Sequence, residues 1–183
     1  MKTAKTFVNQ SELQNGIDSC TAYIRQVVDM SKYDDVVLVP ILDGAVYFAA
    51  DLSRELGKFK AHSMKFVTCK SYNGQKQEKK SEVHFPSGMA KKLQGKNIFI
   101  LDELFDSGKT LHLIKQGVLE LLPEEYHDSV NTVTMMLKKR KEPTLYQKPN
   151  HWAINVPDVW LYGYGLDLNG KHRNLLCVQG FEK

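Results

Sequence analysis

Leu101-Asp102-Glu103-Leu104-Phe105-Asp106-Ser107-Gly108-Lys109-Thr110 packs a strand end, three acids and a helix start into ten residues. Asp102 and Glu103 close the apolar run NIFILDEL, residues 97 to 104, and KTLHLIKQGVLELL, residues 109 to 122, has a helical pattern. A helix N-terminus offers unpaired backbone N–H groups and a positive dipole end. Gly108 lets the backbone approach a phosphate closely, and Ser107 and Thr110 add hydroxyls. The acids disfavour a bare phosphate, but they suit a ribose diol or a magnesium ion that accompanies a diphosphate. Adjacent acids after a strand can also simply solvate a loop, and Asp106 alone could be an N-cap. Three acids running into Ser-Gly-Lys-Thr favour a binding turn. A nucleotide P-loop is excluded, because that motif needs glycine five residues before Gly108 and Glu103 stands there.

Working outward, VVLVPIL, residues 36 to 42, is a short β-branched run typical of a strand covered on both faces. It meets Asp43-Gly44 and passes directly into the amphipathic AVYFAADLSREL. HSMKFVTCK, residues 62 to 70, and NTVTMMLKK, residues 131 to 139, predict further strands, and VWLYGYGL and NLLCVQ add late ones. An opening helix is expected near Ser11, where Ser-Glu-Leu-Gln reads as a capping box. Residues 71 to 95 are polar and lysine-rich, with Gly74, Pro86, Gly88 and Gly95, and read as a long functional loop. Strands alternating with helices predict an α/β fold with a mostly parallel central sheet flanked by helices. In such sheets ligands bind beyond the carboxyl ends of the strands, where these turns sit.

The 183 residues suit one domain spanning 1–183. A net charge of +4 is too small to argue for nucleic acid by itself and would suit a polyanionic small substrate equally well. Cys20, Cys69 and Cys177 are far apart and form no zinc pattern, which suits a reducing, cytoplasmic setting. The start MKTAKTFVNQ lacks the apolar core of a signal peptide, and no apolar run approaches a membrane span.

Two hydrophobics, two acids, two hydrophobics and then Asp-Ser-Gly-Lys-Thr resemble the phosphoribosyl pyrophosphate signature of the type I phosphoribosyltransferases. From about Val36 onward, the order of motifs is similar to the hypoxanthine-guanine branch. That resemblance implies a small base-covering hood from the chain ends, Mg2+ as cofactor, and a dimer or tetramer. It implies transfer of the 5-phosphoribosyl group from phosphoribosyl pyrophosphate to hypoxanthine or guanine, with no nucleic-acid or membrane partner. Asp102 and Glu103 would hold ribose hydroxyls and magnesium, although the family order is Glu-Asp. Asp106 would be the general base, and the turn through Ser107, Gly108, Lys109 and Thr110 would cradle the 5′-phosphate.

The resemblance assigns the diphosphate to Leu42, Asp43, Gly44, Ser71, Tyr72 and Arg173, with residues 71–95 as a mobile catalytic loop. Lys139 is expected to contact the oxygen at purine C6, by counting back from Lys148-Pro149 and Pro157-Asp158, with Lys138 and Arg140 left as solvated charges. Trp160 would stack on the base, backbone groups of Leu161 would read its edge, and Asp167 would be a second metal or base contact. Asp43 departs from the family's Leu-Lys-Gly by placing a carboxylate where an ammonium usually faces a polyanion. Two alternatives remain at this level: a transferase for xanthine or a pyrimidine, and a catalytically weak ligand-sensing regulator.

Overall fold

The computed structural model describes residues 4–73 and 79–181, and across residues 70–81 the backbone alone. In chain order the elements are β1 (Ala4–Val8), α1 (Gln10–Asp29), β2 (Val36–Leu42), α2 (Val46–Leu56), β3 (Ser63–Met64), β4 (Val67–Asn73) and β5 (Lys79–His84). There follow α3 (Met89–Leu93), β6 (Asn97–Phe105), α4 (Lys109–Glu120), a 3-10 turn (Glu124–Ser129), β7 (Val130–Lys139), β8 (His151–Pro157), β9 (Trp160–Tyr162) and β10 (Val178–Phe181).

Among the described residues the central sheet has seven strands, in the order β5-β4-β2-β6-β7-β8, with β3 also pairing β2. All its pairings are parallel except β4 with β5. This is the expected α/β architecture. The strands are apolar at successive positions because both faces are covered. Val36, Leu38, Phe99 and Leu101 pack with α1 and α2, whereas Val37, Val39, Ile41, Ile98 and Ile100 pack with α3 and α4.

The sheet order places the site. From β2 the chain moves through α2 to β3 and β4 on one side. It then crosses to β6 on the other side and continues through α4 to β7. The winding therefore reverses between β2 and β6, and the crevice beyond their carboxyl ends is where an open α/β sheet takes its ligand. Residues 42–44 and 102–110 occupy those two ends. A second, antiparallel sheet, β1-β10-β9, joins segments from both ends of the chain, as expected for the hood.

Several local expectations change. The capping box at α1 belongs to Asn9 and not Ser11: Asn9 Oδ1 accepts from Glu12 N at 2.9 Å, and Asn9 N donates to Glu12 Oε2 at 2.8 Å. An asparagine carbonyl caps as well as a serine hydroxyl. Residues 62–70 make two short strands instead of one. The stretch 71–95 carries strand and helix, since β5 pairs with β4 from Thr68↔His84 to Asn73↔Lys79 and α3 follows. β5 is an edge strand with Glu82 and His84 exposed and Val83 half-buried, so a polar sequence can fold there on backbone pairing. Residues 74–78 lie outside the described residues. Among the described residues, no helix is long and apolar enough to cross a membrane.

Candidate active site

β6 delivers Asp102 and Glu103 at its carboxyl end, both half-buried. Burial, and then the charge of Glu103, push the Asp102 carboxyl well above the ordinary carboxylate range. Burial also raises Glu103, against the opposing pull of its hydrogen bond with Asp102 and the charge of Arg173. The turn then closes at Gly108, whose φ of +84° suits glycine and whose missing Cβ leaves room for the Phe105 ring. α4 begins there without a side-chain cap, so its first-turn amides and positive dipole end lie at the mouth of the turn.

Three segments converge on Glu103. A Cβ on Gly44 would overlap the Glu103 carboxylate, and a Cβ on Gly165 would overlap the Gly44 carbonyl oxygen. The Leu42–Asp43 peptide is cis, and Asp43 turns its side chain to solvent. Gly165 has φ of +99°, donates its N–H to the Arg173 carbonyl at 2.8 Å and accepts from Arg173 Nη1 at 2.5 Å. Arg173 Nη2 also pairs with Asp167 Oδ1 at 3.1 Å, and Asp167 Oδ2 accepts from Gly170 N at 2.9 Å. Buried Tyr164 ties this loop to α2 by donating to Asp51 Oδ2 at 2.9 Å.

Beside this junction lies a cavity of about 200 Å³. It is lined by Glu103, Leu104, Asp106, Lys138, Trp160, Leu161, Leu166, Asp167 and Arg173. The structure thus gathers Glu103, Asp106, Trp160, Leu161, Asp167 and Arg173, which come from β6, the hood strand β9 and the loop after it. Trp160 is 65% exposed, an open aromatic face at the pocket. Asp106 Oδ2 accepts from Lys138 Nζ at 2.8 Å, and its Oδ1 accepts from Arg140 Nη1 at 2.5 Å. Burial alone would raise the Asp106 carboxyl, but these two cations outweigh it and hold the group below the usual carboxylate range.

Lys139 is the lysine expected at the purine C6 oxygen. It is exposed, whereas Lys138 is 11% exposed and reaches Asp106. Adjacent residues of a strand point to opposite faces, so one of the two lysines at most can enter the pocket. Counting across the 140–150 connection could not decide which. Arg140 is exposed as expected, yet its guanidinium also reaches Asp106. Gly165 bears no side chain to mark it in the sequence, where the only sign of a tight approach is the pair of glycines around Tyr164. Ser107 is exposed and Lys109 and Thr110 open α4. The side chains of Lys70, Ser71 and Tyr72 lie outside the described residues; their backbone is part of β4.

The carboxylates of Asp102 and Glu103 are hard oxygen donors whose burial resists full ionisation in the absence of a cation, which suits magnesium. Among the described residues, no group of three or more His, Cys, Asp or Glu could hold a metal. An ion held by these two carboxylates would need further ligands from substrate or water.

The sequence profile of the phosphoribosyl transferase domain family matches residues 9–167. The chain belongs to this family. Phosphoribosyl transferase relatives include the hypoxanthine-guanine phosphoribosyltransferase of Bacillus subtilis, 28% identical over 175 residues, covering 93% of this chain and 89% of the relative. The hypoxanthine phosphoribosyltransferase of Escherichia coli K12 is 29% identical over 154 residues, covering 82% of each. Among solved structures, the Trypanosoma cruzi hypoxanthine phosphoribosyltransferase in complex with the product IMP superposes with a TM-score of 0.81 at 22% identity. That match covers 97% of this chain and 94% of the other, and supports the fold.

Proposed function

We propose that this phosphoribosyl transferase moves the 5-phosphoribosyl group from phosphoribosyl pyrophosphate to a 6-oxopurine, hypoxanthine or guanine, releasing pyrophosphate. The observation that carries this reading is the Asp106–Lys138 pair in a pocket bordered by Glu103 and Trp160, beside the Ser107–Thr110 turn. An acceptor and a donor side by side match the imidazole N–H and the C6 oxygen of such a base. The names of the curated relatives point the same way.

In this scheme Lys138, in place of Lys139, meets the C6 oxygen, Trp160 stacks on the base, and backbone groups of Leu161 read its edge. Residues 106–110 cradle the 5′-phosphate at the start of α4. Asp102 and Glu103 hold the ribose hydroxyls together with magnesium, which when bound neutralises charge on the diphosphate. Asp167, freed from Arg173, is a further metal or base contact. The bond from C1′ to the diphosphate breaks as a purine nitrogen bonds to C1′ from the opposite face. Asp106 takes the purine proton, and the diphosphate leaves beside Arg173 and the Gly44 amide. In this scheme the segment that bears Ser71 and Tyr72 closes over the diphosphate and excludes water. We also place the protein in the cytoplasm as a homo-oligomer; the free thiols of Cys20, Cys69 and Cys177 suit a reducing compartment.

The test is nucleotide formation from phosphoribosyl pyrophosphate with hypoxanthine, guanine, xanthine and adenine in turn, with and without magnesium. Magnesium-dependent product from hypoxanthine or guanine is expected. Product from xanthine alone would move the base assignment. No product from any base, with the phosphoribosyl substrate still bound, would overturn the enzyme and favour a ligand sensor.

A further inference from the structure

Asp106 is held by two cations that arrive by different routes. Lys138 reaches it from within β7, 11% exposed. Arg140 lies just past the strand end, where its N–H donates to the Lys138 carbonyl at 3.0 Å. That tight turn returns a second positive side chain, 39% exposed, to the same carboxylate. The two donors occupy different oxygens, Oδ2 and Oδ1. A carboxylate has about four lone-pair sites, so a third donor can still be accepted while the plane of the group is fixed.

We propose that Arg140 is a positioning residue for phosphoribosyl transfer, acting through Asp106: it fixes the plane of that carboxylate from the rim, while Lys138 meets the base. This rests on the role assigned to Asp106 above. Other charged groups share the surroundings. Glu103 comes from β6, Asp167 and Arg173 from the hood loop, and Lys109 opens α4 just after the turn. Of the charged groups here, Lys138 and Arg140 contact Asp106, Lys138 from within the strand and Arg140 from the rim. Burial raises the Asp106 carboxyl, and Lys138 first and then Arg140 bring it below the usual range. An aspartate so held aligns the purine N–H and receives its proton only as the bond to C1′ forms and the base becomes cationic. Loss of Arg140 leaves a carboxylate that rotates about one anchor and protonates more readily.

The experiment compares full-length wild type, Arg140→Gln, Arg140→Ala and Arg140→Lys. It reads the pH profile of kcat/KM for hypoxanthine, the KM for phosphoribosyl pyrophosphate, and the Asp106 titration by carboxyl carbon NMR. Removing the charge should move the acid limb and the Asp106 titration to higher pH. It should lower kcat about fivefold on the plateau, as expected for a half-exposed ion pair, and leave KM for the phosphoribosyl substrate unchanged. Arg140→Lys should restore the limb, and Arg140→Ala gives a second reading should Arg140→Gln misfold. An unchanged limb and titration in an active protein would overturn the role of Arg140 alone. A wild type that forms no nucleotide from any base would overturn the functional reading itself.

Discussion

Two turns face each other across the switch point, and they are built on opposite principles. The turn after β6 is dense in side-chain chemistry, with Asp102, Glu103, Asp106, Ser107 and Thr110 in nine residues. The turn after β2 offers little besides backbone: a cis peptide, a solvent-facing Asp43, and Gly44 in contact with Glu103. A site can thus be half chemistry and half clearance. The first half shows in residue types, and the second shows only when the neighbour that needs the space is known.

The sharpest way to break that contrast is Gly44→Ala. The added methyl must displace the Glu103 carboxylate or the Gly165 loop, so turnover should fall on the order of 100-fold through misplacement alone. Near-normal kinetics would show that the β2 turn is a spacer and not part of the site. Asp106→Asn tests the chemical half. It should cost about 100-fold in turnover while binding of phosphoribosyl pyrophosphate persists, as measured by calorimetry. Wild-type turnover would remove Asp106 as proton acceptor.

A third test separates the acids within the β6 turn by pH. The Asp102 carboxyl is raised in the folded protein, so its contribution to stability is present below its unfolded pKa of about 4 and is lost as pH rises through the folded value. Asp106 has the opposite sign: its contribution is present above the unfolded pKa and is lost as pH falls through the depressed folded value. Without magnesium, the melting temperature should therefore fall as pH rises from acid toward neutrality, and either Asp102→Asn or added magnesium should reduce that fall. A flat profile with no response to magnesium would count against an ion at Asp102 and Glu103.

The smallest effect is expected at Asp43. Asp43→Asn removes one exposed negative charge beside the proposed diphosphate position. It should tighten phosphoribosyl pyrophosphate about threefold at low salt, with the gain screened at high salt. No change would mean that Asp43 points away from the substrate, as it does from the protein.

What was legible follows from burial. β2, β6 and β7 are covered on both faces, so their apolar runs announced them, and the acids at the end of β6 stood out against that background. β5 escaped because an edge strand with polar side chains has no apolar period, and β1 because its short run AKTFV has exposed side chains over three of its five residues. Lys138 escaped because its identity depends on which way the end of β7 faces. Arg140 escaped because a charged residue after a strand looks solvated until its partner is placed.

By itself the sequence determined the class of the fold, the turn that bears the acids and the family resemblance, since each is written in local periodicity and residue type. Only the tertiary structure decided which lysine meets Asp106, why Gly44 and Gly165 must lack side chains, and that Arg140 completes the clamp. Those facts depend on distances between segments remote along the chain. Such distances are set by the packing of the sheet and hood, and no local pattern encodes them.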